Sequence, residues 1–231
     1  MIDESKIIFF TGAPGSKWSA FAHLLSFSSK FSINTSDRSL DREYQHTTSK
    51  VKHQGTYWGP GNQFGGNFHN INNMSKKDIL DEIEKPYADK NWDQYRIIKC
   101  HQFSINLDYI KTTFPTSKIV IVLRPDAQCE LGWLSSGGFD LITYPDYHTY
   151  YKNPNILKEQ IIIENQMSKE WIVNNKLDLN VVDEKYWLDK WGVARNSPEI
   201  DTYMSSMEKR FSRKDNKYYW NFDIIAADYN F

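Results

Sequence analysis

Cysteine is scarce in this chain: Cys100 and Cys129 are the 2 thiols in 231 residues. Two isolated cysteines cannot build a disulfide framework. Neither they nor His23, His46, His53, His69 and His148 show metal-ligand spacing, so no metal centre and no oxidising compartment is expected. Charge of one sign is lacking as well: 28 Lys and Arg against 29 Asp and Glu leave a formal charge of −1. A balanced chain has no general basic face for nucleic acid or anionic lipid, so any anion binding must be local. No apolar run approaches the roughly 20 residues that cross a bilayer. The start, Met1-Ile2-Asp3-Glu4-Ser5, is acidic and runs straight into a strand pattern, without the basic and apolar regions of a secretory signal. These absences lead to the expectation of a cytoplasmic protein with neither membrane nor nucleic acid as partner.

The patterns that are present predict alternating strands and helices. Lys6 to Phe10, Tyr95 to Cys100 and Lys118 to Leu123 are short apolar runs of strand length, and Leu177 to Val182 is a further candidate. Between them, Ala20 to Leu25 has helical apolar spacing, and Ser75 has the character of a helix cap ahead of Ile79, Leu80 and Ile83, with Pro86 as the stop. Leu107 to Ile110 predicts a short helix, and Pro125 to Leu134 a helix with Asp126 near its positive end. Asn155 to Trp171 predicts a longer amphipathic one. This alternation predicts an α/β protein with a central, mostly parallel sheet, and the length suits one domain over residues 1–231.

Residues 47–73 form a long tract rich in glycine and aromatics, read either as a functional loop, in which Trp58, with Phe64, would lie against a sugar or aromatic ligand, or as a surface excursion. The C-terminal third is charged and aromatic, and its most distinctive run is Arg213-Lys214-Asp215-Asn216-Lys217-Tyr218-Tyr219-Trp220.

Chemistry concentrates at three strand ends. The first strand runs into Thr11-Gly12-Ala13-Pro14-Gly15-Ser16-Lys17-Trp18-Ser19, a phosphate-loop shape whose backbone N–H groups can wrap phosphate oxygens. Against the Walker pattern, the last glycine is Lys17 and the catalytic lysine is Trp18, and an indole supplies no cation to a γ-phosphate. The second strand ends in His101, a side chain able to take a proton near neutral pH. The third ends in Arg124, whose planar fork suits a phosphate. In open parallel sheets ligands sit outside the carboxyl ends of the strands, so all three face the place where chemistry occurs.

Together these strand ends resemble the sulfotransferase family. Its loop typically reads Pro-Lys-Ser-Gly-Thr-Thr and cradles the 5′-phosphosulfate of 3′-phosphoadenosine 5′-phosphosulfate (PAPS). Pro14, Ser16 and Ser19 match; Gly15 occupies the family's lysine position, and Lys17 lies two residues on. Lys99-Cys100-His101 resembles the Lys-Thr-His strand end that carries the proposed base. Arg124 resembles the arginine that grips the 3′-phosphate; the serine usual eight residues later is Gly132 here, with Ser135 and Ser136 the nearest hydroxyls. Arg213-Lys214 resembles the C-terminal Arg-Lys-Gly loop, with Asp215 in place of its glycine.

The resemblance implies a P-loop-type three-layer fold and transfer of a sulfuryl group from PAPS, without a metal, to a hydroxyl or amine of a small-molecule or glycan acceptor. His101 and Lys17 would be catalytic. Gly12, Pro14, Gly15, Ser16, Lys17, Trp18 and Ser19 would hold the 5′ side of the nucleotide, and Arg124, Ser135, Arg213 and Lys214 the 3′-phosphate. Two other readings stand beside it: a nucleotide or nucleoside kinase-like P-loop enzyme, disfavoured by Trp18 and by Arg124 where a magnesium-holding aspartate is expected, and a non-catalytic nucleotide- or glycan-binding member of the fold.

Overall fold

Five strands form one sheet in the order β2-β3-β1-β4-β5, in a computed structural model that describes residues 2–35, 56–57, 68–135, 153–177, 184–194, 198, 200 and 225–229. The strands are β1 (Ile7–Gly12), β2 (Thr56–Tyr57), β3 (Arg96–Lys99), β4 (Lys118–Leu123) and β5 (Ile225–Tyr229). β2, β3, β1 and β4 run parallel, and β5 joins the edge antiparallel to β4. The helices are α1 (Trp18–Leu25), α2 (Lys76–Glu84), α3 (Leu107–Thr113), α4 (Asp126–Ser135), α5 (Pro154–Asn174) and α6 (Glu184–Trp191). The protein is thus mixed α/β. No helix among the described residues is long and apolar enough to cross a membrane.

β1 and β3 are buried at every position, and β4 from Ile119 onward, because both faces of the sheet are covered. Ile8 and Phe10 of β1 join Ile97, Val120 and Val122 in one core, under α1, α6 and part of α5. Ile7 and Phe9 point the other way and join Ile98, Ile119 and Ile121, beneath Ile79 and Ile83 of α2 and Ile110 of α3. Each such side chain contributes about 1.5–3 kcal/mol by leaving water. Phe9 also anchors the site: its ring lies 5.4 Å from that of Phe103 and 5.2 Å from that of Phe114. Phe103 follows His101 by two residues, so Phe9→Ala would open a void of about 3–5 kcal/mol under the segment that carries the histidine.

Local signals set the helix ends. Ser75 accepts from the Asp78 N–H and starts α2, and Asn153 accepts from the Ile156 N–H and starts α5 with Pro154 in the first turn. The register then brings the strand ends level. Phe10 pairs with Lys99 and Gly12 with Val122, and the Cys100 N–H donates to the Phe10 carbonyl at 3.1 Å. The segments that follow β1, β3 and β4 therefore leave the sheet at one end, with α1 on one face and α3 on the other. This is the crevice geometry of open α/β sheets. At the opposite end Arg96 is buried, its guanidinium 4.5 Å from the Tyr87 ring and 3.8 Å from that of Trp92, with Nη2 donating to the Asp89 carbonyl.

Several readings need correction. The glycine-aromatic tract is not irregular throughout: Thr56–Tyr57 pairs with Ile98 and Lys99 as an edge strand, and Phe68–Asn73 is a 3-10 turn. β5 lies beyond residue 182, where the sequence predicts no strand; Ile-Ala-Ala-Asp-Tyr is too short and mixed to announce one, and its partner strand β4 supplies the reason it is extended. α5 departs from a simple amphipathic division. Ile163 is 46% exposed while Glu164 is fully buried beside Asn165 and Ser168, because that polar stripe faces the strand ends rather than solvent. Residues 178–182 of the fourth strand candidate lie outside the described residues.

Candidate functional site

The loop after β1 turns tightly, with the Ser16 N–H donating to the Ala13 carbonyl at 2.9 Å. Gly15 has φ +77, and Lys17 has φ 67 and ψ 18, the left-handed conformation that side chains with a Cβ disfavour. Lys17 thus holds a conformation that glycine takes most readily, while carrying a cation. It caps α1 without a side-chain acceptor, the first turn of α1 holds no acidic residue, and the Lys17 Nζ is turned inward, out of contact with water. A helix start of this kind favours anions through its N–H groups and dipole. Inside the turn, the Ser16 Oγ is buried and has no hydrogen-bond partner among the described residues, a costly state for a hydroxyl.

His101 follows β3 and opens a 3-10 turn, His101–Ile105. It is 4% exposed, and its Nδ1 lies 2.8 Å from the Gly12 carbonyl oxygen. A carbonyl only accepts, so Nδ1 carries the proton and the neutral ring has its lone pair on Nε2. The ring is held edge-on by Trp18 at 4.7 Å and by Trp133 at 6.1 Å between centroids. Burial pushes its pKa down to about 4, partly offset by the bond to Gly12, so the imidazole is neutral at pH 7. Thr11 secures the backbone beneath it, its Oγ1 lying 2.7 Å from the Cys100 carbonyl oxygen and 3.2 Å from that of His101.

Further cations border the loop. Lys99 is 1% exposed and donates through Nζ to Ser19 Oγ at 3.3 Å, in the first turn of α1. Arg124, 2% exposed, donates from Nη1 to the Gly15 carbonyl at 2.9 Å and from Nε to Gln128 Oε1 at 3.2 Å. A chain with net charge −1 therefore concentrates Lys17, Lys99 and Arg124 around one nine-residue segment. Both thiols are buried, and burial favours their protonated form, pushing Cys129 up to about 12 and Cys100 well above its ordinary value. No group of three or more histidines, cysteines or carboxylates placed to hold a metal occurs among the described residues.

The structure thus brings together Gly12, Gly15, Ser16, Lys17, Trp18, Ser19, His101 and Arg124. Pro14 lies in the same turn. Ser135 ends α4, with its side chain outside the described residues, and Trp58, Phe64, Ser136, Arg213 and Lys214 lie outside them altogether. His23 is buried on α1 against Phe27. Thr11, Trp133 and Asn165 carry no motif that sequence reading could use. Lys99 had one: a buried strand with lysine two residues before histidine places both on the same side. No family model, curated protein or solved structure matches this chain.

Proposed function

We propose that the protein is a P-loop-type sulfotransferase that moves a sulfuryl group from PAPS to a hydroxyl or amine acceptor, with His101 as general base. The observation that carries this reading is the 2.8 Å contact between His101 Nδ1 and the Gly12 carbonyl, which ties an imidazole of defined tautomer to the end of β1, where the loop begins. The phosphosulfate lies on the loop, against the helix start, Ser16 Oγ and the ammonium groups of Lys17 and Lys99. The acceptor oxygen or nitrogen attacks sulfur and the bond from sulfur to the phosphate oxygen breaks. The acceptor's proton passes to His101 Nε2, and adenosine 3′,5′-bisphosphate departs with its new charge facing Lys17. A pKa of about 4 makes an isolated imidazole a weak base, and the phosphosulfate beside it raises that value toward neutrality. Positioning and electrostatics supply the rest, as in phosphoryl transfer.

Ordinary nucleotide triphosphate hydrolysis is less well supported. Trp18, where a Walker loop has its lysine, is buried edge-on against His101 and offers no cation. The test is ligand-dependent thermal stability without divalent metal. Adenosine 3′,5′-bisphosphate at about a hundred times its dissociation constant should add roughly 2.7 kcal/mol. Stabilisation by Mg-ATP with none by the bisphosphate would replace this reading with a nucleotide triphosphate enzyme.

A further inference from the structure

The loop and α4 meet through two glycines. A Cβ on Gly132 would stand 2.5 Å from the Gly15 carbonyl oxygen and 2.8 Å from Arg124 Nη1. A Cβ on Gly15 would stand 1.9 Å from the Cys129 carbonyl oxygen and 2.6 Å from the Trp133 nitrogen. Into this contact Arg124 sends its Nη1–H, bonded to the Gly15 carbonyl at 2.9 Å, while Nε is held by Gln128. The arginine's own carbonyl accepts from Asn165 Nδ2 at 2.9 Å, which ties the same point to α5.

We propose that Arg124 is a positioning residue for the loop. It pins the Gly15 carbonyl against α4, so that the nucleotide is read at the loop and not through a second phosphate gripped by this arginine. Two departures from the sulfotransferase pattern then become one feature. A lysine at position 15 would have to adopt φ +77 inside the contact, and a serine at 132 would drive its Cβ into both the carbonyl and the guanidinium. A charge-assisted bond buried in low dielectric is strong, and a loop fixed before its ligand arrives loses little freedom on binding. The consequence for substrate choice is that Arg124 gives a nucleotide bearing a 3′-phosphate no advantage over one without it.

Two readouts test this, and only the first rests on the transferase reading. In calorimetric titrations of adenosine 3′,5′-bisphosphate and adenosine 5′-phosphate, Arg124→Lys should weaken both by a common factor of about ten or more, the worth of one charged hydrogen bond. Gly132→Ser should also weaken both. In the ligand-free protein, hydrogen exchange at the amides of Ala13, Gly15, Ser16 and Lys17 should quicken in both variants, while β3 keeps its protection. A loss confined to the bisphosphate in Arg124→Lys, a tighter bisphosphate complex in Gly132→Ser, or unchanged loop exchange would each overturn the proposal. If the parent protein binds neither nucleotide, the transferase reading fails and exchange alone decides the role of Arg124. If Arg124→Lys does not fold, Gln128→Ala leaves the arginine in place, removes its Nε acceptor, and should show the same pattern at smaller size.

Discussion

The imidazole of His101 is hydrogen-bonded to the carbonyl of Gly12 at 2.8 Å, so the end of β3 and the start of the loop after β1 form one unit across 89 residues of sequence. The bond needs the register that sets Phe10 beside Lys99, and it orients the ring with a backbone oxygen where many enzymes use a carboxylate. Because the carbonyl is neutral, it fixes the tautomer without holding a proton on Nε2.

This burial has a pH signature. The unfolded chain binds a proton at His101 near 6.5, and the folded protein only near 4. Between these values the unfolded state takes up more protons, so stability present above 6.5 is lost as pH falls toward 4. Between pH 7 and pH 4.5 the parent should lose roughly 2–3 kcal/mol more than His101→Gln, measured by denaturant titration. Equal losses in the two proteins would mean that the ring does not stay neutral on folding.

Lys17 combines a strained backbone with an inward ammonium. Lys17→Gly and Lys17→Ala both remove the cation, and only glycine suits φ 67. The glycine variant should be the more stable of the two by about 1 kcal/mol, with part of the relief lost to its freer unfolded chain. Both should bind adenosine bisphosphate more weakly than the parent. Equal stability would show that the loop relaxes around position 17.

Thr11→Val keeps the size of the side chain and removes the hydroxyl beneath Cys100 and His101. Loss of this buried bond should cost about 1–3 kcal/mol in denaturant stability and, if His101 is the base, lower turnover more than nucleotide affinity, since it loosens the segment that carries His101 and leaves the loop bonds intact. An affinity loss as large as the turnover loss would place Thr11 with the nucleotide.

Much of this architecture was legible because it is local. Lys118 to Leu123 is strand from end to end, and Ser75 caps α2, because an apolar run and a capping oxygen act within a few residues. The order of glycine-bearing loop, histidine and arginine at three strand ends was legible too, since each closes a recognisable strand. What stayed hidden depends on tertiary partners. β5 is extended because β4 offers it a ladder, and Glu164 is buried because Gln102, beside His101, meets it at 3.4 Å. The sequence marks Arg124 as a cation, but not that its Nη1 would meet the Gly15 carbonyl, 109 residues away. Gly132 reads as a missing serine until its contact with Gly15 is seen.

The most direct measurement is sulfuryl transfer from radiolabelled PAPS to pooled hydroxyl and amine acceptors, by the parent protein and by His101→Gln. Glutamine preserves much of the size and hydrogen bonding of the ring but cannot take the proton. A histidine base at this position should give labelled product from the parent, a loss of turnover of roughly 10² to 10⁴ in the variant, and bisphosphate affinity retained by both. Transfer that survives in His101→Gln at near-parental rate, or a parent that moves no label to any acceptor class while binding the bisphosphate, would contradict it.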